Sequence, residues 1–357
     1  MTLNHFDFPQ ALEDKYVGFL SSSIVDDLKD YSEFCFKTFG DRVKSWITIN
    51  EPLITAKLGY DLGSAPPGRC SEREECAAGE SSTEPYIVIH NLLLAHATVA
   101  RLYKQKYQWR TNMEFLYLTR FLNNITINWH KAHPQSAGRT RERNWISLTG
   151  QHYEPYSNSL DDIAAQERVM DFELGWYLEP LVYGDYPSIT RELVKDRLPT
   201  FTEQEKVLVK GSFDFIGINY YTSNYAKSIS IDQNATACRY THDQFVNATW
   251  NTNIYIYQKG LQKLLEFIKQ KYQSPKIYIT ENGVPEKRDD NRGFIEALDD
   301  QHRIEYIQQH LYRIREAIKN GVNVKGYFYW SLFDSFEWLE GYTIRFGLYY
   351  IDYSDNL

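Results

Sequence analysis

Two glutamates offer the chemistry from which the rest of the chain can be read. Glu281 follows Ile277-Tyr278-Ile279-Thr280 and precedes Asn282-Gly283, so it ends a short β-favouring run at an Asn-Gly turn. Glu51 ends a second run of the same design, Ser45-Trp46-Ile47-Thr48-Ile49-Asn50, just before Pro52. A carboxylate at the mouth of a parallel strand stands where loops vary while strands hold the geometry. Two such groups facing one cavity can cleave a glycosidic bond. One carboxyl protonates the departing oxygen while the other attacks the anomeric carbon or activates water. Either glutamate alone reads more simply as a solvated strand cap; their shared strand-turn context points to a pair.

Holding such a pair requires a sheet. Strands are expected at 3–8, 45–51, 145–150, 213–220, 277–280 and 324–333. Helices are expected between them at 25–39, 86–103, 161–178, 202–210 and 257–271. A last one runs through Ile304, Ile307, Leu311, Ile314 and Ile318 and stops at Gly321. Six strands alternating with helices indicate a parallel α/β sheet, and at 357 residues a (β/α) barrel is the leading architecture. No Pro/Gly/Ser-rich linker divides the sequence, which argues for one domain.

Composition narrows the class. A net charge of −8 argues against a nucleic-acid or anionic-membrane surface. No apolar run reaches the length of a membrane span, and no signal-peptide pattern opens the sequence at Met1. The 28 Tyr, 19 Phe and 8 Trp offer flat faces to sugars, although packing of helices on a sheet accounts for most of them. Cys70 and Cys76 bracket a short polar loop and can close a small disulfide in an oxidising compartment, whereas Cys35 reads as core. Cys238 lies between glycosylation sequons at Asn234 and Asn247, with a third sequon at Asn124. His90 and His96, six apart on one helix, read as packing residues. No metal-ligand spacing and no Gly-rich phosphate loop is present, so no cofactor is implied.

Four blocks resemble the signatures of family 1 glycoside hydrolases: Ile49-Asn50-Glu51-Pro52, Gly217-Ile218-Asn219-Tyr220-Tyr221, Tyr278-Ile279-Thr280-Glu281-Asn282-Gly283, and the run from Trp330 to Trp338. Gly68-Arg69-Cys70-Ser71, Phe172-Glu173-Leu174-Gly175-Trp176 and Tyr183-Gly184-Asp185-Tyr186-Pro187 resemble its plant β-glucosidase branch. The resemblance covers nearly the whole sequence in the family's order. It implies a (β/α)8 TIM barrel of which this sequence carries neither the first two strands nor the last helix. It also implies a retaining double displacement on β-D-glucosides, with Glu51 as acid/base and Glu281 as nucleophile, the two carboxyls about 5–5.5 Å apart.

The same resemblance assigns substrate-binding roles. Asn50 would bind the sugar 2-hydroxyl, and Asn219 and Tyr221 would flank the nucleophile. His5, Trp330, Glu337 and Trp338 would form the sugar pocket, and Phe346 would close its rim. A secreted, vacuolar or endoplasmic-reticulum location is implied for the family, and a small β-glucoside is the implied partner. Nothing in the sequence addresses oligomeric state. Glutamate at position 51 favours an O-glycosidase over the thioglucosidase branch, for which the resemblance implies Gln. A catalytically inactive paralogue or isoform, and a transglucosidase, remain alternatives. Residues 108–144 fit nothing in the family, carry arginines at 139, 141 and 143, and read as an insertion.

Overall fold

The strand 45–50 shows how the fold is built. In the computed structural model, which describes residues 1–108, 143–231, 239–248, 256–289 and 293–353, this strand is β2 of a parallel sheet. β1 is Thr2–Asn4, β2 Ser45–Asn50, β3 Arg143–Thr149, β4 Phe215–Asn219, β5 Ile277–Glu281 and β6 Val324–Tyr327. Their order in the sheet is their order in the chain, with every neighbouring pair parallel. That is the singly wound topology of a (β/α) barrel, and the described residues supply six of its strands.

Helices cover the outer face. The main ones are α1 (Ser23–Phe39), α2 (Glu84–Lys106), α3 (Leu160–Met170), α4 (Gln258–Lys271) and α5 (Gln301–Lys319). Trp46 is fully buried, with Phe36 of α1 edge-on at 5.0 Å, and Tyr103 of α2 meets the same Phe36 at 4.8 Å. Thr48, two residues on, faces the same helix layer through His96 Nδ1 at 2.7 Å. Ile146, Leu148, Ile216, Ile218, Ile277 and Ile279 are likewise buried, as strands covered on both faces require.

The opposite face is layered. Trp145, Phe215 and Tyr278 form an aromatic layer, with Tyr278 stacked on Trp145 at 5.7 Å and tilted against Phe215 at 4.4 Å. One step toward the strands' C-terminal ends come Ser147, Gly217 and Thr280, and beyond them Asn50, Asn219 and Glu281. Two irregularities aim this last layer. Ile47 pairs with Trp145 but Asn50 with Ser147, so β2 carries one extra residue. Ile218 pairs with Ile279 but Asn219 with Glu281, so β5 does too. An inserted residue reverses the facing of everything after it, which turns Asn50 and Glu281 to the inside.

Several expected boundaries shift. The first strand stops at Asn4 rather than running to residue 8, because Phe6 adopts φ 68° and cannot extend it. The last strand ends at Tyr327; beyond it the chain folds over the tip of β5, with Trp330 N–H on the Asn282 carbonyl. The single helix expected at 161–178 is α3, a π-helical turn Asp171–Gly175 and a further helix Trp176–Tyr183. In α5 the apolar stripe is only partly the buried face: Ile314 is buried and Ile307 half-buried. Ile304, Leu311 and Ile318 are exposed, while Arg303, Tyr306, His310, Ile314 and Ala317 face inward. A small second sheet of His152–Pro155, Ser223–Ser228 and Val246–Ala248 was not expected from the sequence.

Cys35 is buried and Cys70 is bonded to Cys76. The sequon at Asn247 is exposed on the second sheet. Asn124, Asn234, Cys238 and nearly all of the insertion expected at 108–144 lie outside the described residues. Among the described residues no helix is long and apolar enough to cross a membrane.

Candidate active site

Glu51 occupies a reversal between strand and helix. Its backbone is left-handed, φ 42° and ψ 59°, its N–H bonds the Ser147 carbonyl at 2.9 Å, and Pro52 opens the following helix. A non-glycine residue held there costs about 1–2 kcal/mol, a strain that fixed packing must offset. Glu281 ends β5, and its own carbonyl accepts the Tyr220 N–H at 2.9 Å. The turn after it is tightly specified. Asn282 is fully buried, its amide donating to the Tyr220 carbonyl at 2.7 Å and to Tyr306 Oη at 2.8 Å, while Tyr327 donates to its Oδ1 at 3.0 Å. Gly283 is required by close approach, since a Cβ there would lie 2.0 Å from the Trp330 carbonyl oxygen.

The two carboxyls meet across one carboxamide. Asn219 Nδ2 donates to Asn50 Oδ1 at 3.1 Å, and the same amide lies against both Glu51 and Glu281. Tyr221 donates to Glu281 Oε2 at 2.7 Å, with Phe346 edge-on to its ring at 6.0 Å. His5 Nε2 is 4.0 Å from Glu281 Oε1, and its ring stands 5.8 Å from Trp330 and 5.6 Å from Trp338. Trp330 Nε1 donates to Glu337 Oε1 at 3.3 Å, and Ser335 reaches the same oxygen at 3.2 Å. The structure thus brings all ten site residues expected from the sequence into one contiguous group, spread over the C-terminal ends of β1, β2, β4 and β5 and the segments after β4 and β6.

Electrostatics divides the two glutamates. Burial, and then the charge of Glu281, pushes the Glu51 carboxyl up to about 8, against the opposing hydrogen bond from Asn219. Burial also raises Glu281, to about 7, but Tyr221 and Asn219 both hold it down while Glu337 acts the other way. Glu281 therefore gives up its proton first and Glu51 keeps its own. Burial lowers His5, with Asp7 opposing, so at neutral pH its imidazole approaches Glu281 uncharged. Burial and the neighbouring carboxylates raise Tyr221 well above a free phenol, keeping it a donor. An acid poised to give a proton beside an ionised, donor-stabilised carboxylate is the arrangement that general-acid-assisted displacement at an acetal carbon needs.

Some contributing groups were given no role by the sequence. Lys57 Nζ and Glu173 Oε1 form an ion pair of 2.7 Å with side chains 3% and 6% exposed, and Tyr153 donates to the other Glu173 oxygen at 2.7 Å. This pair ties the helical segment after Glu51 to the π turn after α3. Ser147 and Thr280 lie under Asn219, and only their place in a strand alternation hints at that position. Away from the site, Glu286, Asp300 and His302 each bring a ligand atom within 4.8 Å of the others, with Arg303 ion-paired to Asp300. The expectation of no metal-ligand spacing did not extend to such a cluster.

Known proteins are similar to this chain in sequence and in fold. The family model for glycosyl hydrolase family 1 matches residues 1–121 and 121–357, and the chain belongs to that family. It is 47% identical over 367 residues to a furostanol glycoside 26-O-beta-glucosidase of Hellenia speciosa, covering 100% of this chain and 60% of the relative. It is 46% identical to beta-glucosidase 10 of Oryza sativa subsp. japonica, covering 100% and 68%. The chain therefore spans about three-fifths to two-thirds of the length of these relatives. Among solved structures it is similar to a rice Os3BGlu6 beta-glucosidase, with TM-score 0.88, 40% identity and coverage of 100% of this chain and 72% of that one. A mutant of the same rice enzyme in a covalent complex with Glc matches with TM-score 0.88 and 39% identity.

Proposed function

We propose that this chain is a retaining O-glycosidase that releases terminal β-D-glucosyl residues by double displacement. Glu281 attacks the anomeric carbon as Glu51 protonates the leaving oxygen. The glycosyl ester on Glu281 is then hydrolysed by water that Glu51, now ionised, deprotonates. Asn50 binds the sugar 2-hydroxyl; His5, Trp330, Glu337 and Trp338 hold the ring; Phe346 closes the rim. The observation that carries this reading is the unequal hydrogen bonding of two desolvated carboxyls, with Tyr221 donating at 2.7 Å to Glu281 alone. The relatives named as beta-glucosidases, and the rice enzyme captured covalently with Glc, support it.

The test is intact-mass analysis and peptide mapping after incubation with an activated 2-deoxy-2-fluoro-β-glucoside. One sugar adduct on the peptide containing Glu281 is expected. No adduct, while a rice beta-glucosidase labels under the same conditions, refutes the proposal in favour of the inactive reading. Adding an acceptor alcohol during turnover separates hydrolysis from glucosyl transfer by the product formed.

A further inference from the structure

The amide between the two carboxyls can act in one orientation only, and the structure contains what sets it. Two hydroxyls lie beneath it, within reach of its oxygen and of each other: Ser147 Oγ is 2.8 Å from Asn219 Oδ1, Thr280 Oγ1 is 2.6 Å from the same oxygen, and the two hydroxyls are 2.6 Å apart. The hydroxyls supply protons to the carbonyl side of Asn219, leaving its NH2 for Asn50 Oδ1 and the carboxyls. Asn50 Oδ1 is thereby used, and its Nδ2 has no partner although the residue is only 2% exposed. A buried amide donor without an acceptor is costly. Gly217 makes room for the cluster, because a Cβ there would lie 2.8 Å and 2.9 Å from Thr280 Cγ2 and Oγ1 and 3.0 Å from Ser147 Oγ.

We propose that Ser147 and Thr280 are positioning residues that set the Asn219 carboxamide, and through it turn the Asn50 NH2 toward the substrate's 2-hydroxyl. This deepens the glucosidase reading and rests on it. Flipping Asn219 would set its carbonyl against the ionised Glu281, whereas in the unflipped orientation the hydroxyl pair donates to that carbonyl from below. Asn50, freed of that partner, could turn its own carbonyl outward and lose the donor. The hydroxyl pair sits one layer below Asn50, Asn219 and Glu281 on the sheet's inner face, so its effect is to reach the reaction through the two amides.

The test is the double variant Ser147→Ala/Thr280→Val in the full chain. Thr280 lines a cavity of 590 Å³ at the inner face of the sheet, which gives the valine methyl room to withdraw from the Asn219 oxygen that Thr280 Oγ1 meets at 2.6 Å. On an aryl β-D-glucoside kcat is expected to fall about tenfold with little change in KM, as the loss of two hydrogen bonds expressed in the transition state requires. On the matching 2-deoxy-β-D-glucoside, which has no 2-hydroxyl to lose, the variant should equal the wild type when each is assayed at its own pH optimum. Equal losses on both substrates, or none on either, overturn the relay. A second measurement does not need turnover. In the chain labelled with 15N-asparagine, the carboxamide signals of Asn50 and Asn219 should both move in the double variant, and unmoved signals refute the inference. A wild type that turns over neither substrate rejects the proposed function, and the carboxamide signals then decide the relay by themselves.

Discussion

Replacing Tyr221 by Phe isolates one hydrogen bond on the carboxylate proposed as nucleophile. The ring is held by burial and by Phe346, so the substitution removes the hydroxyl and little else. A hydrogen bond to a charged group contributes about 1.5–3 kcal/mol, and one pKa unit corresponds to about 1.36 kcal/mol. The bond at 2.7 Å favours the ionised form of Glu281, so its loss raises that group by about one to two units above its already raised value. The acidic limb of kcat/KM reports ionisation of the nucleophile in the free enzyme. It should therefore move to higher pH by about one to two units, closing or crossing the roughly one-unit interval between Glu281 and Glu51 and so collapsing the active range from the acid side. The assay is initial-rate kinetics on an aryl β-glucoside from pH 4 to 9, with the leaving group quantified after quenching. An acidic limb that stays in place in Tyr221→Phe refutes the reasoning, whatever happens to the maximal rate.

Three further outcomes follow from the same geometry. Glu51→Gln should slow glucosides with poor leaving groups much more, by about a hundredfold or greater, than those with good ones, because only the former need a proton in the first step; equal losses count against the acid role. The same variant should also change stability with pH. Glu51 is raised in the folded chain from 4.5 to about 8, so the unfolded chain binds fewer protons in that interval and the wild type loses stability as pH rises through it. The Tm advantage of Glu51→Gln should then widen between pH 4.5 and 8.5, on the order of 3 kcal/mol in stability, and a constant gap rejects the burial argument. Lys57→Met leaves the Glu173 carboxylate without its buried ammonium, so denaturant unfolding should show a loss of about 3–5 kcal/mol, part of which Lys57→Met/Glu173→Gln restores.

The sequence exposed those features that depend on neighbouring residues alone. Strand-turn punctuation located Glu51 and Glu281, alternation located six strands, and the family blocks supplied the residues of the proposed sugar pocket. What it could not carry depends on pairing across the sheet. The extra residues in β2 and β5 are defined only against Ser147 and Asn219 on neighbouring strands. Without them, strict alternation from Ile47 would have turned Asn50 toward the helices. The stripe of Ile304, Leu311 and Ile318 has a helical period, but which face of α5 is buried is decided by the sheet it meets, and the polar Arg303–Tyr306–His310 edge faces it. The Lys57–Glu173 pair joins residues 116 apart in the chain, and no local pattern announces it.

The layering of the sheet's inner face explains why so few polar groups can run two carboxyls at different proton occupancies. Glu51 and Glu281 are both desolvated, and desolvation alone would keep both protonated near neutrality. The difference between them comes from donors, and donors can reach the pocket only from the layer below or the strand tips beside it. Tyr221 serves Glu281 alone. Asn219 serves both, and it does so because Ser147 and Thr280 occupy its acceptor side. Gly217 stands where a larger residue would separate those hydroxyls, so a β4 position without a side chain contributes to the ordering of two pKa values one layer above it. On this account Gly217→Ala, which adds one methyl at a distance from both carboxyls, should weaken the Asn219 hydrogen bond that holds Glu281 down and so move the acidic limb of the pH profile upward, whereas a role confined to packing would lower stability and leave the profile where it was.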